Sequence, residues 1–99
     1  MIKKFKLAGK EYRIKEVDDK LSNCLGMARS PVGEILIAKK WDGDIVPDDS
    51  KAQTVCHEIV HCILDEMGIR KQENEQVCID ERFVQMFGVY LYEVWTTAK

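Results

Sequence analysis

His57 and His61 are the only histidines of the chain. They stand four residues apart, and Glu58 directly follows the first. An imidazole binds a metal ion through a ring nitrogen, and a carboxylate beside that ion can accept a proton from a water. On an α-helix each residue turns by about 100°, so positions four apart lie about 40° apart on one face, one turn above the other. The spacing lets both imidazoles converge on one ion. Glu58 then sits where its carboxylate reaches a water at the ion without ligating the ion itself. Shuffling this composition gives the pattern on the order of once in 500 arrangements, so chance does not account for it. The alternative is a pair of surface or hydrogen-bonded histidines.

A catalytic zinc site takes three protein ligands and keeps one position open. The chain has no third histidine, so the third ligand must be an acid or a cysteine. Asp65 lies on the same stripe, but eight helical residues place it about 12 Å from His57. At most it orients His61, and an exposed helix carboxylate is the simpler reading. The remaining candidates fall on a second helix: Glu73, Glu75, Asp80 and Glu81, with Cys78 as a thiolate alternative. That helix carries an apolar stripe through Val77, Val84, Phe87 and Leu91, and Glu81 falls between the first two. A carboxylate on a face meant for burial is costly unless paired or metal-bound. Glu81 is therefore the first choice, with Glu75, Asp80 and Cys78 as alternatives. Gly88, lacking a side chain, permits close approach to the histidine helix.

The elements around these residues read as an α+β domain. "IKKFKLAGKEYRIKEV" is two strand-like runs joined around Ala8-Gly9-Lys10, a hairpin. "CLGMARSPVGEILIAKK" is a second hairpin turning at Ser30-Pro31-Val32-Gly33. The two predict a small antiparallel sheet, with Glu34–Ala38 free to offer an edge to an extended peptide. "WDGDIVPDD" reads as a loop. Ser50-Lys51-Ala52-Gln53 fits a capping box, and Gly68 is a natural stop, so the first helix is expected over about Ser50–Met67. Ile59, Val60, Ile63, Leu64 and Met67 form its buried arc. The second helix is expected over roughly Glu73–Trp95. Tyr90, Tyr92, Trp41 and Trp95 are read as packing residues.

Ninety-nine residues predict one domain, 1–99, with a thin core to which a bound metal adds stability. A net charge of −2 argues against a nucleic-acid or membrane surface. No run is long and apolar enough to span a bilayer, and no secretion signal opens the chain. Cys24, Cys56, Cys62 and Cys78 show no disulfide spacing, so a cytoplasmic protein with reduced thiols is expected.

"TVCHEIVHCILDEMG" followed by "ERFVQMFGVYLYEVW" resembles the small H-E-x-x-H metallopeptidase-like proteins of phages and prophages, which are minimal zincins. The likeness covers roughly Leu25 to Trp95. It implies a short strand segment, a zinc-binding helix and a closing helix that opens on two acids. Glu81 falls on the first acidic position, whereas Arg82 stands on the second, so the alternatives for the third ligand stay open. The resemblance implies zinc held by His57, His61 and an acid, with Glu58 as general base and a protein or peptide as substrate. Two other functions compete: a zinc-stabilised binding or regulatory module with little turnover, and a different zinc hydrolase. A purely structural site has no use for Glu58. The sequence is silent on oligomeric state.

Overall fold

The computed structural model describes residues 2–68 and 81–99. The first hairpin forms as expected: strand β1 (Lys4–Leu7) pairs antiparallel with β2 (Lys10–Val17) across Ala8 and Gly9, both at positive φ. Alternation along β2 turns Tyr12 and Ile14 inward and leaves Glu11, Arg13 and Lys15 outside. The second hairpin also forms. Strand β3 (Gly26–Arg29) pairs antiparallel with β4 (Glu34–Ala38) through a 3-10 turn at Ser30–Val32, closed by left-handed Gly33.

The joining of the two hairpins differs from the expected antiparallel sheet. The strand order is β1-β2-β4-β3, and β2 runs parallel to β4, so the sheet is mixed. Local turn signals fix each hairpin but not how one is laid against the other. Here β4 is the most apolar strand, and Ile35, Ile37 and Ala38 are all buried. A central position covers such a strand on both edges, and its inner face packs on the core. Glu34–Ala38 is therefore an interior strand, not the free edge expected. β3 occupies the edge.

The loop expected at "WDGDIVPDD" contains a short hairpin. β5 (Lys40–Trp41) and β6 (Asp44–Ile45) pair around Asp42 and Gly43, both at positive φ. Asp-Gly is a favoured two-residue turn of this kind. The Asp19 carboxylate accepts hydrogen bonds from the Asp42 and Gly43 N–H groups and holds the turn against the strand ends.

Helix α1 (Asp48–Glu66) begins two residues before the expected start, and the capping box does not form. Pro47 is the N-cap, its carbonyl accepting from the Lys51 N–H, and Asp48 and Asp49 put negative charge in the first turn. Gly68 ends the helix in the left-handed conformation, as expected. Helix α2 is described over Glu81–Thr97; the part of the expected helix before Glu81 lies outside the described residues. Val55, Val60 and Cys62 of α1 are buried, with Cys62 and Val55 joining Tyr12, Ile14, Ile35 and Ile37 in the core. Met67, the C-cap of α1, is exposed. On α2 the inward line runs through Val84 and Gly88 rather than Phe87, which is exposed. No helix among the described residues is long and apolar enough to cross a membrane.

Gly33 locks the second hairpin to β2: its carbonyl accepts from the Arg13 N–H, and a Cβ at its φ of 67° would lie 2.7 Å from the Glu11 carbonyl oxygen. Gly9, at φ 78°, has nothing within 4 Å of such a Cβ. Gly9→Ala should cost about 1 kcal/mol, from the left-handed backbone alone. Gly33→Ala should cost about 2–3 kcal/mol, since the Glu11 carbonyl must also move. Urea unfolding of both variants checks the order, and equal losses would contradict it.

Candidate metal centre

Helix α1 lays its His57–His61 stripe along the rim of a cleft of about 700 Å³ between α1, α2 and the edge strand β3. The two rings meet edge to face, with centroids 5.0 Å apart. Helix α2 crosses α1 at Gly88. A Cβ there would lie 3.1 Å from the His57 Cα and 3.2 Å from its backbone nitrogen, so the approach depends on glycine. Two turns before Gly88, Glu81 projects into the cleft. Its Oε1 lies 2.8 Å from His57 Nε2 and 3.3 Å from His61 Nε2.

One ligand atom from each of His57, His61 and Glu81 falls within 4.8 Å of the other two. Bond lengths of about 2.0–2.1 Å around a tetrahedral ion put ligand atoms about 3.3–3.4 Å apart. The His61–Glu81 separation of 3.3 Å matches that spacing, whereas the 2.8 Å His57–Glu81 contact is a hydrogen bond that an ion would have to open. Burial acts to raise the Glu81 pKa, but His61 and His57, by charge and by hydrogen bond, hold the carboxyl below its usual range. Glu81 is therefore anionic and ready to coordinate. The alternatives Glu73, Glu75, Cys78 and Asp80 lie outside the described residues.

Glu58 is only 7% exposed. It faces β3, where the Ala28 N–H donates to its carboxylate. Burial pushes its pKa up, and the opposing pull of His61, His57 and Ala28 does not cancel that effect. Gly26 makes this packing possible: a Cβ there would stand 2.5 Å from Thr54 Cγ2 and 3.2 Å from Glu58 Cγ. A carboxylate lodged beside two imidazoles, lining the same cleft, is placed to exchange protons with a molecule bound there.

Two participants escaped the sequence reading. Gln85 Oε1 lies 3.0 Å from His57 Nδ1. With Nδ1–H donated to that oxygen, a metal replacing the Nε2–Glu81 hydrogen bond would meet the Nε2 lone pair of a neutral ring. Gln85 is one turn after Glu81, and that spacing was the available signal. Gly26 was the other, an isolated glycine opening a strand. Asp65 does not orient His61 by any contact among the described residues. It accepts a hydrogen bond from the buried Ser30 hydroxyl at 2.8 Å and ties α1 to the β3–β4 turn. Among the tyrosines, Tyr92 is half-buried and its hydroxyl donates to Asp49, but Tyr90 is exposed, as are Trp41 and Trp95. None of these aromatics lines the cleft. Cys24, Cys56 and Cys62 are free thiols, and Cys62 is a packing residue of the core.

No protein-family model, curated protein or solved structure matches the chain.

Glu81→Ala should weaken zinc binding far more than Glu75→Ala or Asp80→Ala, measured by competition against a chelating dye. Metal stripped by Glu75→Ala instead would contradict this geometry. Gln85→Leu should weaken zinc binding by about 10- to 100-fold while leaving the fold unchanged. Unchanged affinity would show that the Gln85–His57 contact does not orient the ring.

Proposed function

We propose that this chain is a zinc-dependent metallopeptidase of the minimal zincin type, with His57, His61 and Glu81 as ligands and Glu58 as general base. One observation carries the reading. The Glu81 carboxylate meets both Nε2 atoms, while a nearly buried carboxylate, Glu58, opens on the same cleft.

Zinc, when bound, supplies Lewis acidity that polarises a carbonyl and makes a water easier to deprotonate. The chain's own residues do the rest. Glu58 takes a proton from the attacking water as its oxygen bonds to the substrate carbonyl carbon. The C–N bond then breaks, and the proton passes from Glu58 to the leaving amine. Gln85 holds the His57 ring in orientation. Among the described residues β3 pairs with no strand but β4, and its other side, where the Ala28 N–H donates to Glu58, runs along the cleft wall. An extended peptide adding to that edge would bring its carbonyl past Glu58, a form of strand addition. This replaces Glu34–Ala38 as the substrate-binding strand.

A metal-stabilised binding module is the second reading. It is favoured by the way Glu81 and Gln85 join α2 to α1 through one histidine, so that an ion there would cross-link the helices. The two readings part at Glu58. Glu58→Gln should retain zinc and thermal stability and lose cleavage of unfolded, fluorescently labelled protein by a factor on the order of 10² or more. Cleavage that persists undiminished would sink the mechanism. Absence of cleavage by the wild type, with zinc bound, would favour the binding module.

A further inference from the structure

Helix α2 carries more apolar surface than α1 covers. Val84 and Gly88 face α1 and are buried. A second stripe, Phe83, Phe87, Tyr90 and Val94, lies about 110° around the helix from that line. With Met86 beside it, its side chains are between 42% and 62% exposed. The spacing of four, three and four residues averages about 3.7, the alternation that lets two helices share a seam. No charged residue stands on the stripe.

We infer that this stripe is a homodimer interface, in which α2 packs antiparallel against α2 of a second copy. Three observations select that occupant. The first is area. At about 150–250 Å² for a whole aromatic side chain, the exposed parts of these five residues amount to about 500 Å² per chain. Covered completely on both copies, these residues would contribute about 1,000 Å², the lower bound for a specific interface. The second is charge. An antiparallel pair with Phe83 opposite the second copy's Val94, and Phe87 opposite its Tyr90, brings Arg82 within about 3 Å along the axis of Glu93 from the other helix. The two-fold axis repeats that opposite-charge pairing at the other end. The third is the polar flank. Between Glu81 and Thr97, Arg82 is the only basic residue, whereas an amphipathic helix that lies on a membrane is rich in Lys and Arg.

The pairing leaves the metal cleft open. Glu81 and Gln85 lie about 170° around α2 from the centre of the stripe. It also braces the helix that supplies them, since α2 would be held by α1 on one side and by its mate on another.

Sedimentation equilibrium of the full chain at about 100 µM, where even a weak specific pair with Kd near 10 µM is largely associated, should give twice the 11.4 kDa chain mass. Tyr90→Lys and Val94→Glu, both at exposed positions, should each halve that mass while circular dichroism stays unchanged. If one variant unfolds, the other decides. Mixed Phe83→Cys and Val94→Cys chains should form a heterologous disulfide, identified by mass spectrometry. A monomeric wild type, a dimer that survives both charge variants, or cross-linking only between identical positions would overturn the proposal. A monomer that binds neutral phosphatidylcholine vesicles would give the stripe to lipid instead.

Discussion

The contact on which the site depends is the one between Gly88 and the backbone of His57. Two helices with ordinary side chains at their crossing stay about 8–10 Å apart. Without a Cβ at position 88, α2 settles directly on the α1 backbone, at the turn that carries the first histidine. Two consequences follow from the period of the helix. Gln85, three residues back, reaches His57 Nδ1, and Glu81, one turn further, reaches both Nε2 atoms. A bulkier residue at the crossing would lift all three contacts together. The same glycine therefore serves packing and chemistry.

A second glycine does similar work on the other wall. Gly26 lets the edge strand close over Glu58, which would otherwise stay hydrated. Burying a carboxylate costs free energy, and the Ala28 N–H and the two imidazoles offset only part of it. A protein of this size has little stability to spare. Placing a carboxylate there works against the fold and makes sense if proton transfer is its task. The proposed zinc would restore stability by joining α1 to α2, since metal binding free energy adds to folding free energy.

Much of this arrangement was legible in the residues. The histidine pair, the close approach at Gly88 and both main hairpins could be read from period and turn chemistry, whereas Glu81, expected on a buried face, is exposed at the cleft rim. What failed was information that no local pattern contains. Strand signals did not say that β4 would enter between β2 and β3, so the parallel pairing and the true edge strand were missed. Phe87 and Met67 look like core residues by composition, but both are exposed: Phe87 lies off the Val84–Gly88 line of α2, and Met67 is the C-cap of α1. Ser50 resembles a cap, yet the Pro47 carbonyl takes the first helical hydrogen bond three residues earlier. Gln85 was overlooked because its only signal was its place one turn after Glu81, which has meaning only once the ring it faces is known.

The central claim is that one zinc ion sits between His57, His61 and Glu81 with a position left open. X-ray absorption at the zinc edge of the metal-loaded chain tests it most directly. The account predicts a shell of about four nitrogen and oxygen neighbours at about 2.0–2.1 Å, with multiple scattering from two imidazoles. A sulfur neighbour at about 2.3 Å would contradict it, by assigning a ligand to a cysteine.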